Sequence, residues 1–503
     1  QTDISGIWDD WLLPDPRLIS VEEASLGSCK IPPFSGVDGC SIPDIGGFEK
    51  AAWLNGYNFE VRRMIFSRKD LFRLLGPLIV EQILAVLVGM VDVMMVAAVG
   101  EAAVSGVALV DSVSLLIIQL LAALATGGAV VCSQYIGKHR SDMACRAAGQ
   151  LVLITAGVSF LFTAVALIGN RSLLYLIFGQ AEAAVMDNAA TYFWLTALSY
   201  PFLALYNSCA ALFRSMGNSR VSMMASMIMN GINVAGNAVC IYGLHMGVEG
   251  VAVPTLISRI TAAVLMMILV RHPDNVIRIT GISQLRPEKD MIRSILTVGI
   301  PSGLENGMFQ FGKLMLQSLV STLGTASIAG FAVANNLVTL QYLAGNALGL
   351  GLITIVGQCV GAGEVKQAKT YTKKLLAVNY GILLAVCTAM ALGRGGIVGF
   401  YHLSPEAAGM AEELILVHCF AMTVWPPAFA LPNTLRAGMD ARFTMMVSVF
   451  SMWVFRIGFA YLFVRGFGFG IMGVWCGMFI DWIFRMAVFL WRFRGFEKRA
   501  KRI

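Results

Sequence analysis

The chain contains an internal tandem duplication, and this feature constrains its fold more than any other. Residues 99–113 match residues 323–337 at a constant spacing of 224, with glycine and alanine at the same places. Further matched pairs, at or within two residues of this spacing, are Pro77/Pro301, Glu81/Glu305, Gln134/Gln358, Gly137/Gly361, Arg214/Arg436 and Arg220/Arg442. Two halves with the same pattern of residues are expected to adopt the same fold.

Composition places both halves in a membrane. Hydrophobic residues make up 57% of the chain and charged residues only 13%, with a mean hydropathy of +0.72. About a quarter of the residues of a soluble domain are charged, and a helix needs roughly 20 apolar residues to cross a bilayer. Runs of this length lie near residues 74–98, 104–131, 147–169, 190–212, 221–242, 249–270, 296–321, 328–356, 375–395, 413–435, 443–464 and 471–491. The sequence therefore predicts an all-α integral membrane protein with about twelve transmembrane helices.

The duplication predicts how these helices are arranged. Six helices per half is an even number, so both halves enter the membrane from the same side and are related by a pseudo-twofold axis along the membrane normal. We predict two six-helix lobes, an N-terminal lobe over residues 65–275 and a C-terminal lobe over residues 276–495. Residues 1–64 are predicted to be a poorly ordered cytoplasmic extension with an amphipathic stretch at 51–63, and residues 496–503 a basic cytoplasmic tail.

The net charge of +7 comes from basic residues that cluster in alternate connections between the apolar runs. The clusters lie near residues 62–73, 138–146, 214–220, 271–293, 366–374, 436–442 and 492–502. Loops rich in lysine and arginine stay on the cytoplasmic side. We therefore expect a multi-pass protein of the plasma or inner membrane with both termini in the cytoplasm. Because the charges are dispersed over separate loops, they do not form a surface for nucleic acid.

Two such lobes can enclose a central cavity that opens to one side of the membrane at a time. Rocking one lobe against the other then gives alternating access, the movement used by many transporters. Pro77 and Pro301 lie inside the first apolar run of each half, where each removes a helix hydrogen bond and can bend its helix. A passive channel is the alternative, but buried acidic residues favour coupled movement.

Polar side chains inside the apolar runs are candidates for function, because burying them in hydrocarbon is costly. Asp92 lies in the outer half of the first run, and Asn233 and Asn237 lie at the same expected depth in the fifth. A carboxylate and two amides at one level can hold a proton or, with backbone oxygens and water, a sodium ion. Alternatively, the amides only form hydrogen bonds with neighbouring helices. The candidate accessory or gating residues of this lobe are Glu81, Gln82 and Asn230.

The second half carries a lysine inside its first apolar run. Lys313 lies at a depth close to that of Asp92, and a buried ammonium needs a partner. We expect Lys313 to pair with a carboxylate, either in one conformation only, as a switch, or permanently with Glu305 in its own lobe. Glu305 and Lys313 are therefore a second set of accessory or gating candidates.

The last two apolar runs contain Arg456, Asp481 and Arg485. Asp481 and Arg485 are spaced i, i+4 with the acid first, the favourable order for a pair on one helix. We expect these three residues to form a structural ion network between helices. The five histidines are scattered and the ten cysteines form no CxxC pair, so no metal site is expected.

The sequence resembles the multidrug and toxic compound extrusion (MATE) family, and in particular its DinF-like bacterial branch. The resemblance spans residues 65–495 and rests on PLIVEQILAVLVGMVDVMMVAAVG, on SQYIGKHR with its second copy GQCVGAGE, on SMGNSR and GMDAR, and on WCGMFIDWIFR. It implies a twelve-helix exporter that uses a gradient of H⁺ or Na⁺ to expel amphipathic, often cationic organic compounds. It implies no cofactor other than this coupling ion.

The resemblance also assigns roles to residues of the first lobe. Asp92 stands at the position of the family's cation-binding aspartate, and Asn233 matches its fifth-span asparagine. Asn237 stands where many relatives carry an aspartate, so this chain has one carboxylate fewer. Glu305 lies too early in its span to match the acid that one branch of the family carries in the second lobe. We therefore expect coupling in the first lobe of a monomer whose partners are small amphipathic molecules and membrane lipids.

Two other functions are considered. A flippase for lipid-linked oligosaccharides or other lipids, from the same superfamily, would need a large and strongly cationic cavity for a pyrophosphate. An intramembrane enzyme would need a recognisable site, such as paired DxxxD motifs for magnesium diphosphate or HExxH for zinc. Neither pattern occurs in the sequence, so we expect the protein not to be an enzyme.

Overall fold

The computed structural model describes residues 64–179, 181–281, 284 and 286–500, and these residues form helices and no β-strand. Apart from Met64, the N-terminal extension and its expected amphipathic stretch lie outside the described residues. By its internal contacts the chain divides into two units, Gln1–Arg68 and Lys69–Ile503. The helical bundle belongs to the second unit.

Spans 1 to 6 comprise, in chain order, Arg68–Ala97, Glu101–Gly137, Ser141–Ile168, Ala183–Leu198 with Tyr200–Ser215, Ser219–Gly243 and Glu249–Val270. Span 4 is broken at Ser199. Pro201, in the first turn of its second helix, has no N–H to give to the carbonyl of Ala197. That carbonyl instead accepts a hydrogen bond from Thr163 Oγ1 at 3.0 Å, so the break does not leave it without a partner.

Spans 7 to 12 comprise Lys289–Val320, Thr325–Gly361, Val365–Gly399, Pro405–Ala421 with Pro426–Ala437, Ala441–Gly466 and Gly470–Arg494. The two parts of span 10 are bent by 70° at their break, where Pro426 and Pro427 interrupt the regular helix. Span 11 contains a π-helical segment, Met452–Gly458, that carries Arg456. Such segments are frequent at functional sites.

The predicted fold class is confirmed. Nine helices of the described residues are long and apolar enough to cross a membrane, or ten when the bent span 10 is counted as one. Span 4 falls short because its parts have sixteen residues each, and span 7 because polar residues such as Glu305 and Lys313 lower its hydropathy. With these two, each half contributes six spans, as the duplication predicts.

Each lobe has a hydrophobic core of its own. In the N-terminal lobe, Tyr206, Phe213 and Met266 belong to one buried cluster, and in the C-terminal lobe Leu414 and Trp475 belong to another. A smaller cluster joins the two lobes and consists of Ala125, Ala129, Val130, Ala211, Val298, Ile353 and Ala441. Its small side chains allow the helix backbones to approach closely.

Spans 2 and 8 cross where the lobes meet. Gly137 packs against the backbone of Gln358, and Gly361 packs in the same way against Gln134. A Cβ on either glycine would collide with the carbonyl opposite. The crossing lies at the ends of the spans that lead into the basic loops. The lobes are therefore in direct backbone contact at that end.

Two glutamines tie the lobes together at the crossing. Gln134 Nε2 donates to the carbonyl oxygen of Ala437 in the opposite lobe at 2.8 Å. Gln358, its duplicate, donates from Nε2 to the carbonyl oxygen of Ser215 at 2.7 Å. The two bonds obey the pseudo-twofold symmetry, since both donors and both acceptors are equivalent positions of the repeat. We call this set of glycine contacts and glutamine bonds the closed end.

The lobes diverge toward the opposite end. There, Gly106 of span 2 packs against the backbone around Ala189 in its own lobe, and Gly330 of span 8 packs against Ala407 in its own. The turns that begin these spans contain Gly100 and Gly324, both with positive φ (134° and 93°), a conformation that favours glycine. The contacts between the lobes described above thus lie in the second halves of spans 2 and 8. Each lobe also contains a cavity.

Candidate functional site: a cavity in each lobe

The N-lobe cavity has a volume of about 350 Å³ and is lined by spans 1, 2, 4, 5 and 6. Its polar lining residues are Asp92, Asp111, Tyr192, Asn230, Asn233, Thr255, Ser258 and Arg259. The remaining lining residues are mostly valines. The cavity therefore offers a group of charged and amide side chains within an apolar wall, the usual construction of a small-molecule or ion site.

The structure brings Asp92, Asn233 and Asn237 together. Asn237 Nδ2 donates to Asp92 Oδ1 at 2.9 Å. With its amide oriented to satisfy both neighbours, Asn233 donates from Nδ2 to the two carboxylate oxygens at 2.9 and 3.2 Å and accepts from Thr255 Oγ1 at 3.0 Å. Asn237 itself is fully buried, and its Oδ1 has no hydrogen-bond partner among the described residues. The carboxylate of Asp92 thus accepts hydrogen bonds from two amides, and Asn237 Oδ1 beside it is an acceptor without a donor.

This arrangement suits a small cation. A proton on Asp92 needs only the carboxylate, whereas Na⁺ is bound by several oxygens at once. The carboxylate, the two amide oxygens and the hydroxyl of Thr255 can supply four of them, once the amides turn their oxygens inward. Asn237 Oδ1, which lacks a donor, is the acceptor that such a cation would satisfy.

Sequence reasoning missed a second acid and a base in the same cavity. Tyr192 Oη donates to Asp111 Oδ1 at 3.3 Å. Arg259 Nη1 donates to Ser199 Oγ at 2.6 Å, at the break in span 4, and interacts electrostatically with both Asp111 and Asp92. Both missed residues are ionisable groups inside apolar runs, so the rule that singles out Asp92 would also have found them.

The accessory candidates of the first lobe lie in different places. Asn230 lines the N-lobe cavity, one turn from Asn233 on the same face of span 5. Glu81 lies near the closed end, where its carboxylate is 3.7 Å from Arg214 Nη1 and accepts from Ser222 Oγ at 3.2 Å. Gln82 lines neither of the two cavities described.

The C-lobe cavity, about 430 Å³ in volume, is lined by spans 7, 8, 10, 11 and 12 and by Gln119 of span 2. Its charged lining residues are Glu305, Lys313, Arg436, Arg456 and Arg485. Its aromatic lining residues are Phe309, Phe331, Tyr342, Trp425, Phe429, Trp475 and Trp482. It is therefore an aromatic cavity with an excess of positive charge, which no sequence pattern had indicated.

Arg456, Asp481 and Arg485 form ion pairs across two spans. Arg485 Nε lies 2.7 Å from Asp481 Oδ1, and Arg456 Nη1 lies 3.8 Å from Asp481 Oδ2. Arg485 also donates from Nη2 to the carbonyl oxygen of Ser448 at 3.0 Å. Asp481 is completely buried, so two guanidinium groups share one carboxylate beneath the cavity wall.

Glu305 and Lys313 do not pair with each other in the structure. Glu305 Oε2 lies 2.7 Å from Arg436 Nη2, and this pair is the duplicate of the one between Glu81 and Arg214. Lys313 Nζ lies over the ring of Phe309, 5.6 Å from its centroid. Since Lys313 lines the C-lobe cavity, it also faces a different cavity from Asp92.

The MatE family model matches the chain twice, at residues 77–239 and 301–462, which together are more than half of its length. The two matches begin at the duplicated prolines. The chain is 26% identical over 431 residues to the uncharacterized transporter YisQ of Bacillus subtilis, covering 84% of this chain and 94% of that protein. It is 24% identical over 446 residues to the probable multidrug resistance protein NorM of Thermotoga maritima, covering 86% and 94%.

A solved structure has the same fold. It is an outward-facing conformation of a multidrug resistance MATE family transporter of the MOP superfamily, with a TM-score of 0.81 and 22% sequence identity. The match covers 86% of this chain and 96% of that one. The two-lobe arrangement described above is thus found in a known transporter.

Proposed function

This chain belongs to the MATE family of multidrug transporters, and we propose that it exports amphipathic organic compounds, many of them cationic, in exchange for H⁺ or Na⁺. The observation that carries the proposal is the carboxylate of Asp92, held by Asn233 and Asn237 in a cavity inside the membrane. A buried acid of this kind is costly and is retained where it binds an ion or a substrate.

The proposed mechanism is exchange at the N-lobe cavity. Asp92 and Asp111 attract a cation, while Arg259 keeps the empty cavity from carrying two uncompensated negative charges. A coupling ion on Asp92 neutralises its carboxylate and loosens its bonds to the two amides. Binding of the ion and binding of a cationic substrate then exclude each other, which is the requirement for antiport.

We further propose that the two lobes, residues 65–275 and 276–495, rock about the closed end. Support comes from the position of the closed end beside the basic loops, which face the cytoplasm by the positive-inside rule. In that orientation both termini are cytoplasmic, both cavities face outward, and the protein lies in the plasma membrane as a monomer surrounded by lipid. The opposite conformation requires the bonds of Gln134 and Gln358 to break.

Efflux from vesicles tests the coupling. Purified protein is reconstituted, the vesicles are loaded with ethidium, and a Na⁺ gradient and a proton gradient are imposed separately. We expect one of the two to drive efflux by the intact chain, and Asp92→Asn to reduce efflux to the rate of protein-free vesicles. Asp187→Asn, at an exposed acid, is the control. If neither gradient drives efflux, the antiport proposal fails, and if Asp92→Asn behaves as the control, Asp92 is structural.

The second candidate is the lipid flippase, which the cationic C-lobe cavity favours. An anionic headgroup bound there would meet Lys313, Arg456 and Arg485. The volume of about 430 Å³ nevertheless lies in the range of a drug-sized ligand and is small for an oligosaccharide diphosphate. The measurement is the movement of fluorescent lipid between the two leaflets of the same vesicles, with no gradient imposed. If the intact chain accelerates this movement, the flippase function is favoured over export.

A further inference from the structure

We propose that the C-lobe cavity is a binding site for organic anions that carry an aromatic ring. The proposal rests on the proposed function in one respect, since it names a second class of compound for the same transporter. It concerns a cavity separate from the one that contains Asp92, and it is argued from charge, from unpaired donors and from the aromatic walls.

The charge of the cavity is the first argument. The ring of Phe309 has three cationic groups around it, with Arg456 Cζ at 5.2 Å, Lys313 Nζ at 5.6 Å and Arg485 Cζ at 5.9 Å from its centroid. Groups of like charge so close together repel one another in a medium of low dielectric constant. An anion placed among them removes that repulsion.

The carboxylates nearby do not balance these cations. Asp481 forms ion pairs with both Arg456 and Arg485, and Glu305 forms an ion pair with Arg436. Lys313 has no carboxylate within 4.0 Å in the described part of the chain. Three cations around Phe309 thus have one carboxylate between them, and two positive charges are left for a ligand.

Unpaired donors in the cavity wall are the second argument. Arg456 Nε and Trp482 Nε1 are buried and have no hydrogen-bond acceptor among the described residues. The side chain of Arg456 is only 9% exposed. A buried donor without an acceptor destabilises the protein, so oxygen atoms of a bound anion would stabilise both donors.

The aromatic walls indicate the rest of the ligand. Tyr342, Trp425 and Phe429 form a stack, with centroids 6.1 Å apart for the first two rings and 5.4 Å for the second two. Trp482 meets Phe429 edge to face at 5.6 Å. Aromatic rings prefer such stacked or edge-on neighbours, and a cavity of this size accepts a ligand of one or two rings.

The N-lobe cavity has the opposite charge. Its charged lining residues are two acids, Asp92 and Asp111, and one base, Arg259, so its excess charge is negative. An anion is therefore favoured by one cavity and disfavoured by the other, although the two lobes arose by duplication. The preference for anions belongs to the C-lobe cavity and not to the chain as a whole.

Equilibrium binding tests the proposal without any gradient. The full chain is placed in nanodiscs of neutral phosphatidylcholine, and calorimetry compares 1-naphthalenesulfonate with 1-naphthylmethylammonium, a cation of similar size. We expect the sulfonate to bind more tightly. Lys313→Gln should weaken the binding of the sulfonate about tenfold, which is the effect of losing one charge-assisted hydrogen bond. Lys313→Arg should restore the affinity for the sulfonate. Arg171→Gln, which removes an equal charge at an exposed residue of the short helix Asn170–Phe178, should have no effect.

Two results with the naphthalene compounds would overturn the proposal. One is equal or tighter binding of the ammonium compound by the intact chain, and the other is unchanged sulfonate binding in a folded Lys313→Gln variant. A third arm uses nanodiscs with phosphatidylglycerol. If this anionic lipid displaces the sulfonate from the intact chain but the neutral lipid does not, the site binds lipid phosphate and the organic-anion proposal fails. None of these outcomes depends on ion coupling, which the efflux experiment tests by itself.

Discussion

At the scale of single residues, Asp481 holds the C-terminal lobe's charged wall together. It has no exposed surface, and it is the carboxylate that pairs with Arg456 and Arg485. Removing one partner from a buried ion pair is much more costly than removing the whole group, because an uncompensated charge remains in the interior. Here two cations would remain.

We therefore predict that Asp481→Asn destabilises the protein by about 3–5 kcal/mol, the usual cost of breaking a buried pair. The measurement is the melting temperature in detergent of the variant and of the intact chain. Asp187→Asn is the matched control, because it breaks a pair with Arg171 whose side chains are 74% and 73% exposed, and exposed pairs contribute about 1 kcal/mol or less. Equal melting temperatures for the two variants would show that Asp481 is not structural.

The sequence could predict part of the first site and little of the second. The depth of Asp92 in span 1 and of the two asparagines in span 5 followed from helix geometry alone, and the structure brings these three side chains together. The surroundings of Lys313 could not be predicted from helix geometry. They depend on Phe309, one turn away, and on Arg456 of span 11, and sequence separation does not reveal which helices pack together.

At the scale of helices, the closed end is the structural element that fixes the conformation. It depends on two glycines, Gly137 and Gly361, that leave room for the carbonyls of the opposite span. The close approach is required only while the lobes touch at this end. A methyl group there would therefore act on one conformation and not on the fold of either lobe.

We predict that Gly137→Ala opens the closed end, because its Cβ would collide with Gln358. Hydrogen exchange of the backbone around residues 134–140 and 358–364 should become faster. Gly157→Ala is the control, since a Cβ on that helical glycine has no atom within 4 Å, and it should leave exchange unchanged. Unaltered exchange in Gly137→Ala would mean that the crossing tolerates displacement and does not define the conformation.

Breaks within the spans were beyond sequence prediction. Hydropathy located the membrane-crossing segments, yet it could not distinguish a straight helix from span 10, bent by 70°, or from span 4, interrupted at Ser199. A proline occurs both at broken spans and inside continuous ones. Pro77 and Pro301, for example, lie inside continuous helices. At the break in span 4, Thr163 of span 3 donates to the carbonyl oxygen of Ala197, a contact that hydropathy does not reveal.

At the scale of the whole molecule, orientation in the membrane determines which way both cavities face. We predict that a cysteine at Lys366, in the basic first turn of span 9, is labelled by an impermeant maleimide only from the cytoplasmic side, and a cysteine at Arg171 only from outside. Labelling of intact cells and of inverted vesicles measures this. The reverse pattern would mean that both cavities open to the cytoplasm in this conformation.

The architecture of the whole molecule was the most predictable level. A constant spacing of 224 residues between matched positions fixed the number of lobes, their internal equivalence and their symmetry. The charge of each cavity was not predictable in the same way. It depends on single substitutions at equivalent places, such as Lys313 in a span whose first copy, Arg68–Ala97, has no basic residue at that depth.

The paired bonds from Gln134 and Gln358 have a consequence for how such a protein can change. Both copies of the ancestral unit retain the contacts that shut the passage, while their pockets have drifted to opposite polarity. The contacts that join the lobes and the side chains that line the two cavities are thereby separate in this chain. Altering what one half accepts should leave the gate and the chemistry of the other half as they are.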